Sequence, residues 1–70
     1  MSEIDSIALA MDELEAMRLC DADGLDQQQA GEQMGVSRGT IQRLLESGRS
    51  KVVRALLSSS ALIIEDPRST

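Results

Sequence analysis

The segment QQQAGEQMGVSRGTIQRLLE, residues 27–46, constrains the fold of this chain more than any other feature. Asp26 is placed to cap a helix, and Gln29 three residues later can complete a capping box. Gly35 stands where a tight turn requires a positive φ, and Ser37 is placed to cap a second helix. The pattern therefore predicts helices over residues 27–34 and 38–58, with a glycine turn between them.

Apolar residues in this segment recur at spacings that let the two helices bury one shared interior. The predicted interior residues are Ala30, Met34, Val36, Ile41, Leu44 and Leu45. The outer face of the second helix is left with Arg38, Gly39, Gln42, Arg43 and Glu46. This is the pattern of a helix-turn-helix, whose outer face enters the major groove of DNA and whose Arg and Gln side chains bond base edges. A capped helical hairpin in any small helical domain is the alternative reading of the same pattern.

The length and composition favour assembly with a second copy. Seventy residues make a single domain, residues 1–70, and a chain this short buries only about 60% of its unfolded surface. It contains no Phe, Tyr or Trp, so its core lacks the large area that aromatic side chains bury. With one cysteine and no histidine, neither a disulfide framework nor a structural zinc site is expected. We therefore expect a homodimer.

The same composition argues against an enzyme. Without histidine there is no His-based acid–base pair, and the carboxylates are scattered rather than convergent. Cys20 follows Met17 and Ala16 in a helical pattern and is interpreted as a packing residue. No catalytic residue, cofactor or metal site is expected. No apolar run has the length of a membrane span and the N-terminus lacks signal-peptide features, so a cytoplasmic location is expected.

The charges are unevenly distributed along the chain. The formal net charge is −5, which by itself disfavours binding to nucleic acid. Residues 1–36 contain nine acidic residues and one basic residue, Arg18, whereas residues 37–56 contain five basic residues and one acidic residue, Glu46. The basic charge is therefore concentrated where the motif would meet DNA. A solvated helix face is the alternative explanation for this charge run.

The flanking segments complete the predicted fold. Residues 4–9 and 61–65 have strand-like patterns, and residues 11–22 have a helical pattern that Gly24 can end. Ala10 occupies the predicted N-cap of that helix. The two strands can pair with each other, or between protomers, and residues 68–70 are predicted to be a loose tail. The predicted fold class is mainly α: a three-helix, helix-turn-helix domain with a long third helix and short terminal β-strands.

About two-thirds of the chain resembles a family of uncharacterised, predicted DNA-binding prokaryotic proteins whose helix-turn-helix is similar to region four of sigma factors. The segments that carry the resemblance are DELEAMRL (12–19), GL (24–25), MGVSRGT (34–40), QR (42–43) and ES (46–47). The resemblance implies that Ser37, Arg38 and Thr40 lie at the DNA-facing start of the recognition helix, with Gln42 and Arg43 one turn further on. Members commonly begin with a basic, cysteine-containing segment that is absent here, so no metal is carried over.

Two functions follow as expectations. The first is a sequence-specific DNA-binding transcriptional regulator that acts as a dimer on double-stranded DNA. In this first function, Arg38, Gln42 and Arg43 contact base edges. Phosphate contacts are assigned to Ser37, Thr40, Arg49 and Lys51. The alternative is a protein-interaction module, in which the acidic part of the chain binds a basic partner such as a transcription-machinery protein.

Overall fold

The computed structural model describes residues 5–65 and is mainly helical, with three helices and two short strands. The elements are β1 (Ser6–Ala10), α1 (Met11–Met17), which continues as a π-helical turn (Arg18–Ala22), α2 (Gln27–Met34), α3 (Arg38–Ser58) and β2 (Ala61–Glu65). These bounds confirm the predicted helices, and the strand predictions hold within one residue at β1. Ile4 of the predicted first strand and the predicted tail, residues 68–70, lie outside the described residues.

The strands pair with each other in parallel, with Ser6 opposite Ala61 and Ala10 opposite Glu65. The sequence left open whether the two strands pair with each other or between protomers. In the structure they pair with each other within one chain. A parallel pair needs a long crossover connection, and the three helices together supply it. Leu9 of β1 is buried against the helices, whereas every residue of β2 is exposed. The sheet is thus covered by the helices along β1 and open along β2.

Local signals set the ends of the helices. Asp26 Oδ1 accepts the Gln29 N–H at 2.7 Å, and Gln29 Oε1 accepts the Asp26 N–H at 3.0 Å, which completes the capping box. Gly35 ends α2 with a φ of 72°, in the left-handed region that glycine adopts without strain. The first helix differs from expectation at its last turn, where the Asp23 N–H bonds the Arg18 carbonyl oxygen five residues earlier.

The core lies where the three helices meet. Its buried members are Ala16, Leu19, Ala30, Ile41 and Leu45, and Cys20 packs against them, as predicted for a packing cysteine. Val36 was expected in the interior but is 37% exposed. The reason is that the turn packs through its backbone: a Cβ on Gly31 would lie 2.7 Å from the Val36 carbonyl oxygen. Gly31 therefore lets the turn after α2 pack closely against that helix.

α1 crosses α3 at Gly48. A Cβ at Gly48 would lie 3.0 Å from Met17 Cε and 3.3 Å from Glu13 Cβ, so the two helices are in close contact there. Among the charged residues of the described part of the chain, Glu13 is the one that is buried. Its Oε1 accepts the Ala10 N–H at 2.9 Å and Lys51 Nζ at 2.8 Å, and its Oε2 accepts the Ser47 hydroxyl. One carboxylate thus joins the end of β1 to α1 and α3.

These donors set the ionisation of Glu13. Burial by itself raises the pKa of a carboxyl group, but the hydrogen bonds from Lys51, Ser47 and the Ala10 N–H together hold the pKa of Glu13 below its ordinary value of 4.5. The charged form is therefore the one that the fold stabilises. This contribution to stability is complete above pH 4.5 and is lost as the pH falls through the lower pKa of the folded state.

We predict that Glu13→Gln lowers the free energy of unfolding at pH 7 by about 1–3 kcal/mol, because the charged hydrogen bonds to Lys51 and Ser47 are weakened. The difference from the parent should shrink as the pH falls below 4.5, since the parent then loses its own carboxylate. Urea denaturation between pH 7 and pH 3 measures both. Glu32→Gln, at an exposed position, controls for the change of charge, and a difference that is constant with pH would contradict the assignment.

We also predict that Ala10→Thr stabilises the fold by about 0.5–2 kcal/mol. Ala10 is the N-cap of α1 with extended backbone and no side-chain cap, so a hydroxyl there can accept an N–H of the first turn. Ala10→Val has a similar shape without the hydroxyl and is the matched control. An equal denaturation midpoint for the Thr and Val variants would show that the cap is not formed.

Candidate nucleic-acid interface

The start of α3 is held by a short run of side-chain hydrogen bonds. Ser37 Oγ accepts the Thr40 N–H at 3.1 Å and lies 3.0 Å from Thr40 Oγ1. Arg43 Nη2 donates to Thr40 Oγ1 at 3.4 Å. Ser37 is therefore the N-cap that the sequence predicted, and Thr40 links it to the next turn. The first turn of α3 is thus closed by side-chain hydrogen bonds as well as by its backbone.

Most of the predicted site residues are exposed. Ser37, Arg38, Gly39, Gln42, Arg43, Glu46 and Arg49 are exposed, and Thr40 and Lys51 are half-buried. The buried residues of α3 are Ile41, Leu45, Gly48 and Ala55. At about 100° per residue, Arg38 and Gln42 lie within about 40° of each other around the helix, and Arg43 lies about 100° further on. The structure thus brings these three side chains to one broad exposed surface on the first turns of α3.

Arg38 also lines an open groove between the starts of α2 and α3. The groove has a volume of about 400 Å³, and its other lining residues are Asp26, Gln27 and Gln28. Asp26 is occupied as the cap of α2. The groove therefore continues the polar surface of α3 onto α2, with a guanidinium group and two amide side chains along it.

Two of the predicted phosphate contacts have carboxylate partners on the first helix. Arg49 makes a bidentate pair with Asp21, at 2.6 Å from Nη2 to Oδ1 and 3.1 Å from Nε to Oδ2. These hydrogen bonds hold the pKa of Asp21 below its ordinary value. Lys51 is paired with the buried Glu13. Arg49 and Lys51 are about 200° apart around the helix, so they do not share one face.

The other cations of α3 are available. Within residues 5–65, Arg38, Arg43 and Arg54 form no ion pair with a carboxylate. Arg54 donates to Ser50 Oγ at 3.1 Å on the exposed side of α3. It was not among the predicted site residues, although the basic run of the sequence includes it. The roles of Asp21 and Glu13 were also missed, because they lie 28 and 38 residues from their partners.

Comparison with known proteins places the chain in a family. Residues 1–68 match the family described as "Protein of unknown function DUF134". The chain belongs to this family. A relative from Vibrio parahaemolyticus, named as a UPF0251 protein, is 42% identical over 67 residues, which are 96% of this chain and 70% of that protein. UPF0251 proteins of Desulforudis audaxviator and Pyrococcus furiosus are 45% and 52% identical over 62 and 58 residues.

The DUF134 chain is shorter than these relatives. The matched residues are 89% of this chain and 40% of the Desulforudis protein. For the Pyrococcus protein they are 83% of this chain and 54% of the relative. No solved structure matches it. In the part of the chain that the structure describes, no group of three or more His, Cys, Asp or Glu residues is arranged to hold a metal ion. None of the helices described is long and apolar enough to cross a membrane.

Proposed function

We propose that this DUF134 chain is a sequence-specific DNA-binding transcriptional regulator that acts as a homodimer. The observation that carries the proposal is the α2–α3 hairpin: its second helix is capped by Ser37 and presents Arg38, Gln42 and Arg43 to solvent. A capped helix with exposed Arg and Gln near its start is suited to entering a major groove, where these side chains make paired hydrogen bonds to guanine or adenine. The hairpin is here interpreted as a helix-turn-helix.

The ion pairs divide the proposed contacts into groups. Within residues 5–65, Arg38 and Arg43 have no carboxylate partner, so in this proposal they contact bases together with Gln42. Ser37 and Thr40 contact phosphate near the helix start, and Arg54 contacts it further along. Lys51 is left out of this set because its ammonium group holds Glu13. Arg49 contributes only when it exchanges Asp21 for a phosphate.

A protein-interaction function is the second candidate. It is supported by the net charge of −5 and by exposed acidic residues, such as Asp12 and Glu32, that form no ion pair within residues 5–65. The two candidates differ in their response to salt when duplex DNA is the ligand. Phosphate binding weakens steeply as salt rises, whereas a chain that binds only a basic protein has no measurable affinity for DNA even at low salt.

We predict that Arg43→Ala and Arg54→Ala change DNA binding in different ways. Loss of a base contact by Arg43 should cost about 1–3 kcal/mol at one base position and flatten the preference there. Loss of a phosphate contact by Arg54 should weaken binding to all sequences and lower the salt slope by about 1. Selection from a random duplex pool, followed by titration at several salt concentrations, measures both effects.

Arg18→Gln removes the same charge from the first helix, away from α3, and is the control for the Arg43 and Arg54 variants. It should leave the base preference and the salt slope as in the parent. If both α3 variants bind every duplex as the parent does, or the parent binds none at low salt, the DNA-binding proposal is wrong.

We further predict that Asp21→Asn strengthens DNA binding and increases the salt slope by about 1, because Arg49 becomes available to a phosphate. Asp23→Asn changes the net charge equally but leaves Arg18 paired with Glu15, and Arg18 is not on α3. It therefore controls for overall charge. Equal effects of the two variants would show that Arg49 does not contact DNA. The exposed Arg49–Asp21 pair should contribute only about 0.2–1 kcal/mol to stability, so both variants should remain folded.

A further inference from the structure

The outer edge of β2 has no neighbouring strand within the described residues, because the sheet has two strands. All five residues of β2 are exposed, and Leu62, Ile63 and Ile64 expose 37%, 50% and 43% of their surfaces. Two-stranded sheets are barely stable in water, and parallel sheets are normally buried on both faces. Such a strand needs a further covering element.

The edge also lacks the usual protection against pairing. Edge strands in monomeric proteins are commonly blocked by a lysine, a proline, a bulge or an inward charge. The sequence of β2 is ALIIE, and its single charge, Glu65, is at the last position of the strand. The register with β1 is continuous over all five positions, without a bulge. The edge is therefore open, apolar and regular.

We propose that a second copy of this chain covers this edge by antiparallel pairing of β2 with β2 of the partner subunit. The two-fold axis is perpendicular to the sheet and passes midway between Ile63 and Ile63 of the partner subunit, and the result is a four-stranded sheet with β1 on each outer side. The inference rests on the homodimer in the proposed function but does not depend on DNA binding.

The side-chain faces restrict the register. Leu62 and Ile64 lie opposite Ile7 and Leu9 and so share the face that packs on the helices, whereas Ile63 lies on the other face. With Ile63 opposite Ile63 of the partner subunit, Leu62 is opposite Ile64 of the partner subunit, and both point to the helical side. A shift by one residue in the pairing would oppose side chains from different faces, which a regular ladder does not allow.

The charges agree with the same register. Glu65 falls opposite Ala61 of the partner subunit, so the two Glu65 carboxylates lie at opposite ends of the strand pair. Like charges directly opposite each other would destabilise a ladder, and this pairing avoids them. All five residues of β2 are then paired, and the three central positions are apolar.

The end of α3 extends the apolar surface. Val53, Leu56 and Leu57 are 53%, 76% and 82% exposed. Only three residues lie between Leu57 and Ala61, so their Cα atoms are at most about 14 Å apart. Val53 and Leu57 lie about 160° around α3 from the buried Ala55 and are left out of the interface. Leu56 and the three large β2 side chains present on the order of 400 Å² of surface, about half of the ~800 Å² that each partner buries in a standard interface.

Disulfide trapping tests the register. In a Cys20→Ala background, Ile63→Cys places two thiols directly across the two-fold axis. Opposite Cα atoms in antiparallel pairs are about 4.5 or 5.5 Å apart, and both separations permit a disulfide. Oxidation should therefore give a covalent dimer. Ala8→Cys is the matched control on the same sheet face: it lies about 14 Å from its counterpart across three strand spacings, beyond disulfide reach.

Sedimentation tests the interface without cysteine chemistry. The full chain should be a dimer that dissociates on dilution, and Ile63→Lys should be a folded monomer at concentrations where the parent and Ala8→Lys are dimers. A monomeric parent, a dimeric Ile63→Lys variant, or cross-linking through Ala8→Cys in place of Ile63→Cys would overturn the proposal. Titration of the parent with duplex DNA is a separate readout: a β2-linked dimer without DNA affinity supports this inference and contradicts only the DNA-binding proposal.

Discussion

The carboxylate of Glu13 is the interaction on which the arrangement of the other elements depends. It accepts hydrogen bonds from the Ala10 N–H at the end of β1 and from Ser47 and Lys51 on α3, while its own residue belongs to α1. A buried carboxylate without such partners is costly, so each donor must be in place when the chain is folded. The contact lies beside Gly48, where the close approach of α1 and α3 is possible. The position of α3 is thus fixed at its middle by this contact, while Ile41 and Leu45 pack its first turns against the core.

The sequence predicted the parts of this fold that depend on neighbouring residues. Asp26 with Gln29, Gly35, and Ser37 each act within one helical turn, so the bounds of α2 and the start of α3 were predictable from caps and periodicity. The strand pairing, the exposed leucines at the end of α3 and the partners of Arg49 and Lys51 were not. They depend on contacts between residues that are distant in the chain, and a local pattern carries no information about which acidic residue faces which basic one.

The same long-range ion pairs explain how an acidic chain can have a basic face. Arg18, Arg49 and Lys51 are each paired with carboxylates of the first helix or its flanking turn. These carboxylates therefore neutralise those three cations and do not neutralise the rest of α3. Arg38, Arg43 and Arg54 remain for a ligand. In the proposed contacts Arg54 alone among these three reaches a phosphate, so the salt slope of one subunit is about −0.9 and its affinity falls about 3.5-fold between 50 and 200 mM salt. Such binding is modest, and a second subunit that doubles the contacts then becomes important for the proposed function.

The two proposals together limit the DNA sites that a dimer can read. α3 has 21 residues and is about 31 Å long, and only two residues connect its end to β2. With the two-fold axis at β2, the starts of the two α3 helices are separated by at most two helix lengths, about 62 Å, plus the short strand connection. Half-sites one helical turn apart, about 34 Å, require the two helices to be inclined toward each other. Half-sites two turns apart require them to lie almost end to end. A packed layer of helices on one face of a four-stranded sheet favours the inclined arrangement, and therefore half-sites in successive major grooves.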